Sequence, residues 1–275
     1  MKMISFAKFH GAENDFIVTL GSETVDVDLP AAARSICARN TGIGADGWML
    51  VWPEESGVRT RLFNSDGSDA EISGNGTRCA AAFALLQGLA YPPFISVTTA
   101  AGVKKLRLVS QEKNRFVFEM DMGAPKVEEL HSTIHLAGAA FDATILNVGN
   151  PQCAIFVDEV PQNWRDAAAE AERHPRFPNR SNVSFVRVVD RHTIDALFYE
   201  RGAGETRSSG TGSTGAAVSA IERRLVESPV KVLTPAGPLT LRWDSSVFLT
   251  GPAELIAEGK YYLDSRNTPA VSGNV

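Results

Sequence analysis

Short runs of β-branched and aromatic residues, separated by Gly, Pro and Asn, recur along the chain. Runs of this kind are typical of β-strands. We predict strands at residues 16–20, 48–51, 116–120, 154–157, 183–189 and 194–198. Longer apolar patterns predict two strong helices, at 79–86 and 216–225, and two weaker ones, at 29–39 and 164–173. Because strands outnumber helices, the expected fold class is α+β or mixed α/β.

The two strong helices each follow a Ser-Gly-x-Gly segment, and these segments are two copies of one pattern. The first copy is SGNGT at 73–77 and the second is SGTGS at 209–213, which lies 136 residues later. The same spacing relates Asn14 to Asn150, Asn64 to Glu200, and residues 97–100 to residues 233–236. Repeats in solenoids are only about 20–45 residues long. The pattern therefore indicates a duplicated domain.

The duplication predicts two pseudo-symmetric lobes, each a curled β-sheet around one central helix. The halves meet near residues 124–130, where Ala-Pro-Lys at 124–126 follows a glycine and fits a linker. We expect an N-terminal lobe at 1–125, a C-terminal lobe at 126–262 and a tail at 263–275.

Composition narrows the possible functions. Hydrophobic residues make up 44% and charged residues 21%, as in globular proteins. The net charge of -5 argues against a nucleic-acid partner. With no apolar run of about 18 residues and no signal peptide, neither a membrane span nor secretion is expected. The three cysteines and five histidines form no metal-binding motif, which favours a reducing compartment and no metal or disulfide.

Each Ser-Gly-x-Gly segment predicts a backbone anion site. A Gly-rich turn that opens a helix leaves several N–H groups unpaired at the positive end of the helix dipole. If the halves face each other, both helix starts point into one cleft, where a small carboxylate is the expected ligand and a phosphate is the competitor. The nucleotide motifs GxxxxGK[ST] and GxGxxG are absent. The alternative interpretation is that Ser73 and Ser209 serve only as N-caps.

Several Asn residues lie beside glycine or in turn-like sequence near the landmarks of the repeat. A single Asn there is ordinarily a turn residue. Five of them, with the charged Glu200 and Arg201 nearby, indicate a polar lining for a zwitterionic ligand. The five are Asn14, Asn64, Asn75, Asn150 and Asn182.

Together these segments resemble the diaminopimelate epimerase family, a group of cofactor-independent amino-acid racemases and epimerases. The resemblance covers nearly the whole chain, in the order and approximate spacing of the family. The matching stretches lie at 9–16, 63–68, 74–79, 149–153, 199–206 and 210–212.

The resemblance implies a two-lobed isomerase with its site in the cleft between the lobes. Such an enzyme inverts the α-carbon of a free amino acid, converting LL- to meso-diaminopimelate on the route to lysine and peptidoglycan. It implies a cytoplasmic homodimer that needs no cofactor. Two acid/base groups work on opposite faces of the stereocentre, at the positions of Ser73 and Ser209. The expected substrate contacts are Asn14, Asn64, Gly74, Asn75, Asn150, Asn182, Glu200, Arg201, Gly210 and Thr211.

The chain departs from the family where protons are moved. The family has cysteine at both acid/base positions, whereas this chain has Ser73 and Ser209. Gln152 replaces a histidine, and Gly47 replaces a glutamine. Because a hydroxyl ionises far less readily than a thiol, we expect slow epimerisation or none. Two alternatives stay open: a non-catalytic amino-acid-binding paralogue, and a related racemase or dehydratase of another amino acid.

Overall fold

A computed structural model of the chain describes residues 2–263, which fall into two compact units. Of these residues, 2–118 and 252–263 form the N-terminal unit, and Glu119–Gly251 form the C-terminal unit. No helix among the described residues is long and apolar enough to cross a membrane.

The N-terminal unit contains strands β1 to β7, the start of β8 and two α-helices. A 3₁₀ helix at Gly21–Thr24 precedes α1. In chain order the elements are β1 Lys2–Gly11, β2 Asn14–Leu20, α1 Leu29–Cys37, β3 Gly47–Glu54, β4 Gly57–Asn64, β5 Asp69–Ala70, α2 Gly74–Leu86, β6 Phe94–Thr99, β7 Gly102–Glu112 and β8 Arg115–Gly123.

After one additional strand, β9, the second half of the chain repeats this order of strands and helices. They are β9 Lys126–Leu136, β10 Ala139–Asn147, β11 Pro151–Phe156, α3 Trp164–Glu172, β12 Asn182–Asp190, β13 Thr193–Glu200, β14 Gly204–Thr206, α4 Gly210–Glu222, β15 Val230–Thr234, β16 Gly237–Trp243 and β17 Val247–Leu263.

The spacing of 136 residues also relates the starts of secondary-structure elements in the two halves. Strand β4 begins at Gly57 and β13 at Thr193, while α2 begins at Gly74 and α4 at Gly210. The predicted α+β class and the internal duplication are therefore confirmed.

Strand pairing repeats in the same way within each unit. In the N-terminal unit β2 pairs parallel with β3, β3 antiparallel with β4, and β4 parallel with β6. In the C-terminal unit β11 pairs parallel with β12, β12 antiparallel with β13, and β13 parallel with β15. Each parallel step encloses a helix in the connection, as parallel strands require. The central helices α2 and α4 occupy the second of these connections in their units.

The central helices are deeply buried, and they consist largely of small residues. Nearly every residue of α2 and α4 is buried, and alanine and glycine predominate in both. A Cβ at Gly76 would lie 2.8 Å from Cε of Met49, and one at Gly212 would lie 2.7 Å from Cδ1 of Phe198. Both distances are shorter than a van der Waals contact, so the absence of a side chain lets each helix start lie against the strands.

The outer helices begin and end close to the predicted bounds. Helix α1 starts after Asp28, whose side chain accepts a hydrogen bond from the Ala31 N–H at 3.2 Å, with Pro30 in the first turn. Its apolar face buries Ala33 and Ile36 in the cluster around Trp48. The strong helix predicted at 216–225 ends earlier, at Glu222, and also begins earlier, at Gly210.

The compact units differ from the predicted division of the chain. Strand β17 pairs antiparallel with β1, from Lys2 opposite Leu263 to His10 opposite Glu254. Residues 252–263 therefore belong with the N-terminal unit, whereas the sequence analysis predicts that residues 126–262 lie together in the second lobe. The second unit also begins at Glu119 rather than at 126. Of the predicted tail at 263–275, Leu263 ends β17 and the rest lies outside the described residues.

Candidate active site

The N-terminal half-site is the start of α2, where Ser73 is the N-cap. Its Oγ accepts a hydrogen bond from the Gly76 N–H at 3.1 Å, and its backbone is extended. The next two N–H groups, of Gly74 and Asn75, precede the first intrahelical hydrogen bond, which runs from Thr77 N to Ser73 O. They are thus the donors that a helix start offers to an anion.

Polar side chains form hydrogen bonds with the first turn of α2. Asn75 donates through Nδ2 to Oδ1 of Asn14 at 3.5 Å and accepts through Oδ1 from Nη2 of Arg78 at 2.5 Å. The Arg78 side chain is wholly buried and also donates to the carbonyl oxygens of Gly74 and Pro252. Burial lowers the pKa of Arg78 to about 10, so the guanidinium remains charged at neutral pH.

Asn14 is itself fixed by the loop before β3. Its Nδ2 donates to Oδ2 of Asp46 at 2.7 Å. Gly47 follows, and a Cβ there would lie 2.9 Å from the Phe63 carbonyl oxygen. The close approach of β4 therefore leaves no room for a side chain at this position.

The C-terminal half-site repeats this design at the start of α4. Ser209 is the N-cap, and its Oγ accepts from the Gly212 N–H at 3.0 Å. The N–H groups of Gly210 and Thr211 precede the first intrahelical bond, from Ser213 N to Ser209 O. Asn150 donates through Nδ2 to Oγ1 of Thr211 at 3.3 Å, as the counterpart of the Asn14–Asn75 contact.

A carboxylate distinguishes the C-terminal half-site. Glu200 is the last residue of β13. Burial raises the pKa of Glu200, and the neighbouring Ser209 hydroxyl opposes that rise without cancelling it. At the equivalent place in the repeat, Asn64 ends β4 and donates to Oγ of Ser68 at 3.0 Å.

Two predicted ligand residues hold the loop that follows Glu200. The Asn182 amide donates to the Pro151 carbonyl oxygen and accepts from the Arg201 N–H, both at 3.0 Å. The Arg201 side chain donates to the Asn179 carbonyl oxygen at 3.2 Å. These bonds show how both residues are positioned, and their roles in binding a substrate stay predictions.

Sequence reasoning missed two residues of the C-terminal half-site. Gln152, noted only as the loss of an imidazole, donates through Nε2 to Oδ1 of Asn150 at 2.7 Å. Its Oε1 is buried and has no hydrogen-bond partner in the described chain, so it is an acceptor suited to a ligand N–H. Glu172 is buried and accepts from the Gly202 N–H at 2.8 Å, which fixes the loop from the other side. A glutamine directly after Asn150-Pro151 was the available signal for the first, whereas nothing local marked Glu172.

The three cysteines are buried residues whose thiols do not ionise near neutral pH. Cys37, Cys79 and Cys153 are all buried and free. Burial raises the pKa of each thiol to about 12, so all three are neutral near pH 7. They behave as packing residues rather than as acids or bases. Among residues 2–263 no cluster of His, Cys, Asp and Glu has the arrangement of a metal site.

The capping geometry gives a stability prediction. Ser73→Ala removes the acceptor of the Gly76 N–H and is expected to lower the free energy of unfolding by about 1 kcal/mol. Ser209→Ala is expected to cost more, because the partly buried Glu200 carboxylate also loses a polar neighbour. Urea unfolding at pH 7 measures both variants, with Ser73→Gly as a control that should lose only about 0.3 kcal/mol. Equal losses at the two serines would contradict the Glu200 contact.

Solved structures show the class of fold that these half-sites occupy. The chain is similar to a PhzF-family phenazine biosynthesis protein from Bacillus anthracis, with a TM-score of 0.70, 15% identity, and coverage of 96% of this chain and 100% of that chain. It is also similar to a hydroxyproline epimerase from Agrobacterium vitis, with a TM-score of 0.68, 16% identity, and coverage of 97% and 94%. These likenesses define a common fold.

Sequence comparison identifies the family. The family model described as diaminopimelate epimerase matches residues 6–128 and 144–256. The diaminopimelate epimerase of Moorella thermoacetica is 39% identical over 277 residues, covering 94% of this chain and 99% of that relative. That of Halothermothrix orenii is 35% identical over 279 residues, covering 94% and 97%. The chain belongs to the diaminopimelate epimerase family.

Proposed function

We propose that the protein is an isomerase that inverts the α-carbon of a free amino acid by cofactor-independent proton transfer, with diaminopimelate as its substrate. The observation that carries the proposal is the paired half-site. Two helix starts, each with the same serine cap and the same pair of outward N–H groups, recur 136 residues apart in a member of this family.

Substrate binding follows from the donors and acceptors of the half-sites. The N–H groups of Gly74, Asn75, Gly210 and Thr211 suit an α-carboxylate. The buried charge of Arg78, directly behind the first pair, adds to the attraction for an anion. The free Oε1 of Gln152 suits the α-ammonium group, since a buried acceptor gains most from a charged donor.

Proton transfer needs one acid/base group on each face of the stereocentre. In this proposal Ser73 acts on one face and Ser209 on the other. The helix N-termini stabilise the negative charge that develops beside the carboxylate when the α-proton leaves. A serine hydroxyl is a weak base without an adjacent group to accept its proton, so the expected reaction is slow.

Assembly and location belong to the same proposal. The family resemblance supports a homodimer in the cytoplasm, acting on a small molecule and requiring no cofactor. Sedimentation velocity of the purified chain distinguishes a dimer from a monomer by mass.

The test is α-hydrogen exchange. The protein is incubated with LL- or meso-diaminopimelate in deuterated water, and NMR follows deuterium at the α-carbon while chiral chromatography follows the isomers. We expect exchange accompanied by slow conversion of one isomer into the other. Calorimetric titration with the same compounds measures binding independently.

Two observations define the competing functions. Both serine hydroxyls are used as helix caps, which favours a non-catalytic amino-acid-binding protein. Only the C-terminal half-site has a carboxylate on its serine, which favours a one-base racemase or dehydratase of another amino acid. Binding without exchange would establish the first alternative. Exchange without inversion, or activity only with other amino acids, would establish the second.

A further inference from the structure

A continuous chain of side-chain hydrogen bonds passes through the N-terminal half-site. Arg78 donates through Nη2 to Oδ1 of Asn75 at 2.5 Å, and Asn75 donates through Nδ2 to Oδ1 of Asn14 at 3.5 Å. Asn14 in turn donates through Nδ2 to Oδ2 of Asp46 at 2.7 Å. Every bond in the chain therefore runs in the same direction, from the guanidinium to the carboxylate.

The two ends of this chain have fixed hydrogen-bonding roles. A guanidinium has only donors and an ionised carboxylate has only acceptors, whereas an amide has one edge of each kind. Asn75 therefore presents its oxygen to Arg78, and Asn14 presents its nitrogen to Asp46. Turning over either amide would bring two donors together at one contact and two acceptors together at the other. The charged ends thus fix the orientation of both amides.

The carboxylate end of the chain is held by several contacts. The Asp15 N–H donates to Oδ2 of Asp46 at 3.1 Å, and the Asp46 N–H donates to Oδ1 of Asp15 at 3.0 Å. Arg39 bridges the two carboxylates through Nη2, at 3.0 Å from Asp15 and 2.7 Å from Asp46. Nζ of Lys8 lies 3.1 Å from the Asp15 carboxylate. These contacts keep the Asp46 carboxylate in place, although its side chain is 41% exposed.

Neutral side chains form the corresponding contacts in the C-terminal half-site. Gln152 donates through Nε2 to Oδ1 of Asn150, and Asn150 donates through Nδ2 to Oγ1 of Thr211. Asn150 therefore donates to its helix start, whereas Asn14 accepts from the helix start of its own unit. The two asparagines, although they are counterparts in the repeat, have opposite roles, and Asn14 owes its role to the carboxylate of Asp46.

The chain leaves an acceptor close to the donors of the helix start. Asn75 uses one lone pair of Asn14 Oδ1, so a second lone pair remains on that oxygen. The same Asn75 contributes one of the two outward N–H groups at the start of α2. An amino acid has a carboxylate and an ammonium group on one carbon, so its recognition needs donors and an acceptor close together.

We propose that Asp46 is a positioning residue that fixes Asn14 as a hydrogen-bond acceptor for the α-ammonium group of the substrate. This inference rests on the proposed function. Asp46 engages the nitrogen edge of Asn14, so the oxygen edge stays beside the helix start. A reversed amide would present its N–H groups to the ammonium, and two donors repel each other. An ammonium group has three protons, so this contact adds to the one proposed for Gln152.

The test compares Asp46→Ala with Asp69→Ala in the full chain, using diaminopimelate as the probe. Asp69 is a surface carboxylate that also pairs with an arginine, Arg61, so it serves as the matched control. Calorimetry at pH 7 measures the affinity of each protein. We expect Asp46→Ala to weaken binding about 10-fold and Asp69→Ala to leave it within about 2-fold. Asp46→Asn should lie between them, because an amide oxygen can still accept from Asn14.

A ligand without amino groups separates positioning from a merely structural role. Pimelate has the carbon chain and both carboxylates of diaminopimelate but no ammonium group. Its affinity for Asp46→Ala should therefore stay within about 2-fold of its affinity for the parent. In α-hydrogen exchange of diaminopimelate, Asp46→Ala should raise KM more than it lowers kcat, because Asp46 acts on binding.

Side-chain amide NMR measures the Asn14 contact directly and needs no substrate. Nitrogen-15 labelling makes the amide protons visible, and the Asn14→Ala variant assigns the Asn14 resonances. Loss of the Asp46 acceptor should shift the bonded Nδ2 proton of Asn14 toward the position of a free amide. Asp69→Ala should leave that resonance unchanged.

Folding does not confound the comparison, because Arg39 keeps its two contacts with Asp15 when the Asp46 carboxylate is removed. If Asp46→Ala nevertheless fails to fold, Asp46→Asn makes the same comparison, and its smaller loss should again be confined to diaminopimelate. Unchanged diaminopimelate affinity, or an equal loss for pimelate, would overturn the positioning role and leave the proposed function standing. A parent protein that binds no diaminopimelate would overturn the proposed function, and the Asn14 resonance would still decide whether Asp46 orients this amide.

Discussion

Replacing both cap serines with thiols, in Ser73→Cys/Ser209→Cys, is expected to raise the rate of diaminopimelate epimerisation by about 100-fold or more. A thiol has a pKa near 8.5, and a helix N-terminus lowers it further. At these two positions a cysteine can therefore form a thiolate at neutral pH, whereas a serine does not form an alkoxide. The exchange of oxygen for sulfur is nearly isosteric, so the Gly-lined helix starts should accommodate it.

The single variants should not behave alike. The C-terminal half-site has the Glu200 carboxylate near its serine, whereas the N-terminal half-site has the neutral Asn64 at the equivalent position. Ser73→Cys therefore supplies the missing group and should gain more inversion than Ser209→Cys. Chiral chromatography gives the inversion rate, and NMR gives the exchange rate for the same samples.

A control variant and two contradicting outcomes make this prediction testable. Ser219→Cys places a thiol at a buried serine further along α4 and should gain nothing. Each cap replacement should also cost up to about 1 kcal/mol of stability, since sulfur is a weak acceptor for the capped N–H. A parent turnover above about 1 s⁻¹ would show that serine suffices here. A double variant that binds substrate yet stays inert would indicate that Gln152 or Gly47 limits the reaction.

The duplication was visible in the sequence because its markers act locally. A serine followed by glycines opens a helix because its Oγ accepts a hydrogen bond from the N–H three residues later. The pattern at 73–77 and 209–213 therefore predicts both helix starts. The matching order of strands and helices confirms the repeat. The strands paired across long separations were harder: β1 pairs with a segment about 250 residues later, and no short pattern encodes that partner.

The chemical detail of the half-sites depends on tertiary contacts. Glu200 and Ser209 are nine residues apart in sequence, and they are neighbours because β14 turns the chain back before α4 begins. Arginine is seldom fully buried, so no sequence pattern predicts Arg78 beneath the helix start. The unpaired oxygen of Gln152 is likewise a product of packing. Local capping is thus predictable, whereas the electrostatics behind each cap are not.

Removing the buried guanidinium in Arg78→Met is expected to lower the free energy of unfolding by about 3 kcal/mol. The substitution keeps most of the side-chain volume but leaves three acceptors without this donor: the carbonyl oxygens of Gly74 and Pro252 and Oδ1 of Asn75. Loss of a buried charge returns part of its desolvation energy, which keeps the net effect below the sum of three lost bonds. Urea unfolding at pH 7 measures the change.

An exposed arginine provides the control for this variant. Arg61 forms a two-point contact with Asp69 on the surface, so Arg61→Met should cost no more than about 1 kcal/mol. Arg78→Lys keeps a positive charge but cannot reach three acceptors at once, so it should lie between the parent and Arg78→Met. A loss in Arg78→Met no larger than that in Arg61→Met would contradict the argument.

The same variants test whether Arg78 also serves the anion site. Its counterpart in the repeat is Thr214, a neutral residue whose hydroxyl donates to the Gly210 carbonyl oxygen. Of these two counterpart positions, Arg78 places a full positive charge beside its helix start and Thr214 does not. We expect Arg78→Lys to bind diaminopimelate more weakly than the parent but more strongly than Arg78→Met, with Thr214→Val within 2-fold of the parent. Calorimetry at pH 7 gives the order. Equal affinities in all four proteins would mean that the charge acts on folding alone, and that the backbone N–H groups bind the carboxylate without its help.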